Sequence, residues 1–223
     1  AYIGGFAGIS GHGVLVDNCE SKVDISVDVF NVDVYAGGFF GYSYAAIDQN
    51  RNLRVEAEHK NWSVSTQSTD TNKGNIYLGG YAGYLSNSYI YDFNVICDQF
   101  SSNATAIENG DVYHGGIVGK MCHTTSSTNP FDKIVFEDLD HVHFTNAHVI
   151  CSDSISISGQ SNNGDVYVGG LIGEINASDY EVTMANISFE ASTLHNSLLE
   201  ADTRDANSNG DVYLGGIVAH ING

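Results

Sequence analysis

An aromatic–x–Gly–Gly–x–x–Gly motif occurs six times in this chain of 223 residues, and no other feature constrains its fold so strongly. The glycine pairs are Gly4-Gly5, Gly37-Gly38, Gly79-Gly80, Gly115-Gly116, Gly169-Gly170 and Gly215-Gly216. A tyrosine stands two residues before every pair: Tyr2, Tyr35, Tyr77, Tyr113, Tyr167 and Tyr213. Two residues before five of these tyrosines comes Asp33, Asn75, Asp111, Asp165 or Asp211. A third glycine closes five copies (Gly8, Gly41, Gly83, Gly119, Gly173), and Ala219 takes its place in the last. Chemistry fixed at each offset, over a period of tens of residues, predicts an array in which like stacks on like.

Period-2 alternation dominates between motifs. Val23, Ile25, Val27 and Val29 alternate with Asp24, Ser26, Asp28 and Phe30, and Ile155 and Ile157 alternate with serines. That is the pattern of strands half-buried in a sheet. Asn-Gly or Lys-Gly before four of the tyrosine strands is a turn signal, and Gly-Gly removes side chains where backbone must bend or approach its neighbour. The stretch 194–204 is the best helical candidate. Residues 1–223 therefore read as one all-β array with irregular corner loops. The intervals between glycine pairs, 33, 42, 36, 54 and 46 residues, place insertions at the corners and a large excursion between Met121 and Val149. With motif residues at both ends, the chain reads as a segment of a longer chain or filament.

The motif resembles the GLUG repeat of bacterial and other cell-surface proteins. The resemblance rests on Gly37-Gly38-Phe39-Phe40-Gly41, Gly115-Gly116-Ile117-Val118-Gly119 and Gly169-Gly170-Leu171-Ile172-Gly173. The run Gly13-Val14-Leu15-Val16-Asp17-Asn18-Cys19 adds the family's continuation into an Asn-Cys step. The resemblance implies a right-handed parallel β-solenoid (β-helix) in a surface or extracellular adhesin-like protein, with no catalytic residues to carry over.

In-register stacking would put the six tyrosines in one structural ladder, flanked by Gly38, Gly80, Gly116, Gly170 and Gly216. Aromatic neighbours add about 0.5–1.5 kcal/mol per pair beyond burial. The aspartates would then repel at rung spacing by roughly 1 kcal/mol. Bonding to backbone N–H groups of their own turn is the leading remedy; outward solvation and a bridging Ca²⁺ are the others. No EF-hand or nonapeptide calcium array is present, and no other cofactor is implied.

Cys19, Cys97 and Cys151 each lie 18 residues before a glycine pair, where Asn61 and Ser197 stand in other copies. Neighbouring rungs would allow a disulfide, most directly between Cys97 and Cys151, with Cys122 outside this pattern. Small buried thiols filling a ladder position are the equal alternative. Asn61, Asn103, Asn176 and Asn186 begin Asn-x-Ser/Thr sequons and are candidates for N-glycosylation in a secreted chain.

The chain carries 27 acidic against 8 basic side chains, a net charge of −19, which argues against nucleic acid and anionic membranes. No apolar run is long enough for a membrane-spanning helix. No nucleophile elbow, P-loop or His-Glu-x-x-His occurs. His141, His143 and Cys122-His123 are a minor metal candidate. Arg51, Arg54 and Arg204 near Glu56 and Glu58 form no specific lyase site. The reading is a non-enzymatic extracellular or cell-surface structural protein, a fibre, stalk or adhesin shaft, self-associating head to tail or through neighbouring repeats. The first alternative is a carbohydrate-binding module that stacks sugars on exposed Trp62, Tyr42, Tyr44, Tyr89 and Tyr91. A polysaccharide-degrading β-helix enzyme is the other.

Overall fold

The computed structural model describes residues 1–11, 16–44, 53–68, 74–86, 90–122, 141–177, 181–191, 198–203 and 208–222. It is all-β, with no helix among the described residues, and every strand pairing is parallel. The strands form three sheets, and motif strands are neighbours in chain order.

The first sheet holds the tyrosine strands Tyr2–Gly4, Val34–Gly37, Ile76–Gly79, Val112–Gly115, Val166–Gly169 and Val212–Gly215. The second holds the strands that follow each glycine pair: Ala7–Ser10, Phe40–Tyr44, Ala82–Ser86, Val118–Cys122, Ile172–Asn176 and Val218–Asn222. The third is built from the segments between motifs. Its centre is Leu53–Gln67, Ile90–Ile107 and His141–Ser161; Glu20–Ser21 and Ile25–Phe30 flank one side, and Glu181–Ala191 and Leu198–Thr203 the other. Each motif copy therefore gives one strand to each of the first two sheets.

The corner between the first two sheets explains the glycine pair. A Cβ on Gly116 would stand 2.3 Å from the Gly170 carbonyl oxygen and 2.9 Å from Val149 Cγ2; one on Gly80 would meet the Gly116 oxygen at 2.3 Å. The same corner continues the hydrogen-bond ladder, since the Gly116 N–H donates to Gly170 O at 3.2 Å and the Ile117 N–H to Leu171 O at 2.9 Å. Side chains are excluded here because the next copy's backbone occupies their space.

The main core lies on the faces of the tyrosine strands away from the rings. It contains the column Val34–Ile76–Val112–Val166, all unexposed, together with Trp62, Phe93, Phe100, Val149 and Ile157 of the third sheet. Parallel strands buried on one face and laddered at both edges satisfy their backbone without water.

Three expectations need correction. The candidate helix at 194–204 is a strand where it is described: Leu198–Thr203 pairs with Ser156–Ser161. Its Leu199, Ala201 and Thr203 alternate with exposed Glu200 and Asp202, so burial follows period 2. The excursion between Met121 and Val149 is shorter than expected, because Met121 and Cys122 end one strand and residue 141 begins another; 123–140 lie outside the described residues. The shared cysteine offset does not mark one column. Cys97 faces Cys151, as expected, but the partners in the flanking strands are Ala57 and Ala191, not Asn61 and Ser197. Cys19 is out of line as well: its neighbour Glu20 aligns with Arg54 and so with Asn94, three residues before Cys97. Counting back from the glycine pair fails because segments of different length separate the third sheet from the next motif.

Candidate functional site

The structure's most regular chemistry is its set of side-chain columns. Residues of one motif position face each other across parallel strands, so whatever the sequence repeats becomes a continuous row.

The tyrosine row is complete. Tyr2, Tyr35, Tyr77, Tyr113, Tyr167 and Tyr213 are register partners. Their ring centroids are 4.7–4.9 Å apart, with interplanar angles of 9° or less. Tyr77, Tyr113 and Tyr167 are nearly buried in a cluster separate from the main core. Burial raises the hydroxyl pKa of all three above the ordinary value, helped at Tyr113 and Tyr167 by the neighbouring aspartate. These three hydroxyls thus stay protonated at any physiological pH.

The aspartate row resolves its repulsion differently from the expectation. Asp33 Oδ1 accepts the Asn75 N–H at 2.8 Å, and Asn75 Oδ1 the Asp111 N–H at 2.8 Å. Asp111 Oδ1 accepts the Asp165 N–H at 3.0 Å, and Asp165 Oδ1 the Asp211 N–H at 2.8 Å. Asp33, Asp111 and Asp165 are thus bonded to the backbone of the next copy, not of their own turn, while Asp211 accepts the Tyr213 hydroxyl at 3.4 Å. The row therefore ties copy to copy, and charge-assisted bonds to N–H groups offset the carboxylates' mutual repulsion. No group of three or more His, Cys, Asp or Glu among the described residues has metal-holding geometry.

Against the tyrosine file packs a second row, from the second sheet: Ile9, Tyr42, Tyr84, Lys120, Glu174 and His220. Tyr42 and Tyr84 stack at 4.9 Å and meet the file edge-on. The next three positions replace aromatics with charge. Lys120 Nζ lies 4.2 Å over the Tyr113 ring and forms an ion pair with Glu174 Oε2, outside hydrogen-bond angles. His220 Nδ1 sits 3.2 Å from Glu174 Oε1. The Glu174 side chain is only 7% exposed, so its charge is held by these two partners. Sequence reasoning missed this triad. Its three members occupy one offset, five residues after the first glycine of a pair, and that offset was the available signal.

His114 is the other residue the sequence did not reveal. It replaces an aliphatic in the inward column Ala36–Leu78–His114–Val168–Leu214 and is fully buried. Nδ1 is 3.0 Å from the Ser158 carbonyl, which only accepts, so Nδ1 carries the proton; Nε2 then accepts the Ser102 hydroxyl at 2.7 Å. The imidazole joins the first sheet to two strands of the third. Burial pulls its pKa down to about 4.

Other predicted residues fall as follows. Trp62 is 0% exposed and donates Nε1–H to Val23 O at 3.1 Å; Tyr42 is also buried. Neither is available to stack on a sugar, which corrects that expectation, and the side chains of Tyr44, Tyr89 and Tyr91 lie outside the described residues. Cys151 is wholly buried and Cys19 and Cys122 are half-buried; the Cys97 side chain is outside the described residues. Asn61, Asn103 and Asn186 are exposed and Asn176 is half-buried. Asn103 Oδ1 accepts the Ser158 hydroxyl, and Asn186 Nδ2 donates to Asn146 Oδ1 at 2.7 Å. His141 and His143 begin a third-sheet strand, but their side chains, and those of Arg54, Glu56 and Glu58, are not described; Arg51, His123 and Arg204 lie outside the described residues altogether.

No helix among the described residues is long and apolar enough to cross a membrane. Compared with protein-family models, curated proteins and solved structures, the chain shows no match in any of the three.

Proposed function

We propose that the chain is a non-enzymatic structural array, a right-handed parallel β-solenoid serving as an extracellular or cell-surface fibre, stalk or adhesin shaft. Three parallel sheets whose motif strands run in chain order support reading them as the faces of one coil. Parallel crossovers are right-handed in about 98% of cases, which supports the hand. The GLUG-like residues support the surface setting.

One observation carries the reading: the tyrosines of all six motif copies are register partners and stack 4.7–4.9 Å apart in a single file, as repeats do when like piles on like along one axis. Electron microscopy of purified material tests the shaft: rods or fibres of uniform width support it, and dispersed globules at every concentration refute it. Turnover of neutral or acidic glycans would refute the non-enzymatic part.

A further inference from the structure

The row that packs against the tyrosine file turns from aromatic to charged between Tyr84 and Lys120, which are register partners. Lys120 and Glu174 then face each other on neighbouring strands, with Val118 over Ile172 and Met121 over Ile175 on either side. Those four apolar side chains are buried in the main core, which fixes the register of the two strands and with it the charged pair. Among the described residues Glu174 is the one buried acid. The Lys120 side chain is 15% exposed, and its Nζ lies on the Tyr113 ring. Tyr113 and Tyr167, both nearly buried, and the His220 ring, 5.6 Å from that of Tyr167, enclose the pair.

Taking two opposite charges out of water costs more than their attraction returns, unless hydrogen bonds complete the pair. Glu174 Oε2 has its ion pair with Lys120 but no hydrogen bond among the described residues. Condensation to an amide would remove both charges at once. Fixed contact supplies the rate, since groups held in attacking position act at effective concentrations of about 10⁵–10⁸ M. The aromatic walls keep out the water that would reverse the reaction.

We propose that Lys120 Nζ and Glu174 Cδ join in an isopeptide bond that cross-links two rungs of the second sheet, with the ion pair as its precursor. Nζ passes one proton to Oε2, with which it is in contact, and attacks Cδ with the freed lone pair. Negative charge then gathers on Oε1, where His220 waits: a carboxylate only accepts, so His220 Nδ1 carries the proton, 3.2 Å from Oε1. The second Nζ proton also goes to Oε2, which departs as water while the Oε1 carbonyl re-forms. One C–N bond forms, one C–O bond breaks, and both protons lost by nitrogen leave in the water, so no oxidant or reductant takes part. The bond goes beyond the shaft reading and rests only on the register of these two strands, so neither test decides the other.

Mass spectrometry of the whole folded chain after a day at 37 °C, intact and as tryptic peptides, tests it. The intact chain should weigh one water less than its sequence. Trypsin should not cut after Lys120, and one branched peptide should join the segments that hold Lys120 and Glu174. Lys120→Arg, which keeps the ion pair but lacks the amine, should retain the full sequence mass, and so should Glu174→Ala. Should a variant fail to fold, the branched peptide of the wild-type chain decides alone. A wild-type chain at full mass that trypsin cuts after Lys120, or a water loss that persists in Lys120→Arg, overturns the proposal.

Discussion

Replacing His114 by leucine should flatten the pH dependence of this protein's stability between about pH 6.5 and 4, on top of a constant loss at every pH. The imidazole is neutral and buried between Ser102 and Ser158, with its pKa lowered to about 4. In the unfolded chain it titrates near 6.5. Below about pH 6.5 the unfolded state therefore binds a proton that the folded state refuses, so stability falls as pH falls. The loss accumulates between about 6.5 and 4 at up to 1.36 kcal/mol per unit and totals about 3 kcal/mol. At pH 5 about 2 kcal/mol of it is already gone. Leucine is the natural comparison because Leu78 and Leu214 occupy the same column. The substitution adds a constant cost, since the Ser102 hydroxyl and Ser158 carbonyl lose a partner. Carboxylate titration is common to both proteins and cancels. Urea unfolding at pH 7.5, 6, 5 and 4.5 should show wild type losing about 2 kcal/mol more than His114→Leu between pH 7.5 and 5. Parallel stability curves for the two proteins would refute the buried neutral imidazole.

Four other outcomes follow from the packing. Gly116→Ala should destabilise by at least 1–3 kcal/mol, because its Cβ would meet a carbonyl at 2.3 Å; Gly216→Ala, with nothing within 4 Å among the described residues, should stay within about 0.5 kcal/mol, both read by thermal or urea unfolding. Tyr113→Leu, which removes two stacked neighbours, should cost more than Tyr2→Leu, which removes one, by about 0.5–1.5 kcal/mol in the same assay. Glu174→Gln should cost about 3–5 kcal/mol by leaving Lys120 without its carboxylate, while Lys120→Met/Glu174→Met should recover most of that loss in a double-mutant cycle. Ser43→Ala should be neutral or stabilising, since its buried hydroxyl has no hydrogen-bond partner among the described residues, in a column that continues as Leu85, Met121 and Ile175.

What the sequence makes legible is whatever the corner fixes. Tyrosine, glycine pair and following strand keep constant offsets, because each corner sits against the next copy's backbone, so counting there places every tyrosine in the file. The third sheet is reached through segments of different length, and counting across them misplaces Asn61, Ser197 and Cys19. Trp62 reads as a surface aromatic on polar composition, yet its alternation with Val64 and Thr66 puts it inward; at this residue period outranks composition. His114 and the Lys120–Glu174–His220 triad are hidden for another reason. They break the repeat, and a polar residue in an aliphatic or aromatic column reads as surface until its cross-sheet partners are seen. The copy-to-copy bonds of the aspartate row are likewise a property of stacking, which no single turn contains.

The central claim is that equivalent residues of successive copies lie one rung apart along a single row. Pulsed electron paramagnetic resonance measures it most directly, with spin-labelled unnatural amino acids at Ser26 and Glu200. These residues are 174 apart in sequence but four rungs apart in one column. One narrow distance distribution near 19 Å, four spacings of about 4.8 Å, is expected. A broad distribution, or a principal distance beyond about 30 Å, would contradict it, since no in-register column of five strands reaches that far.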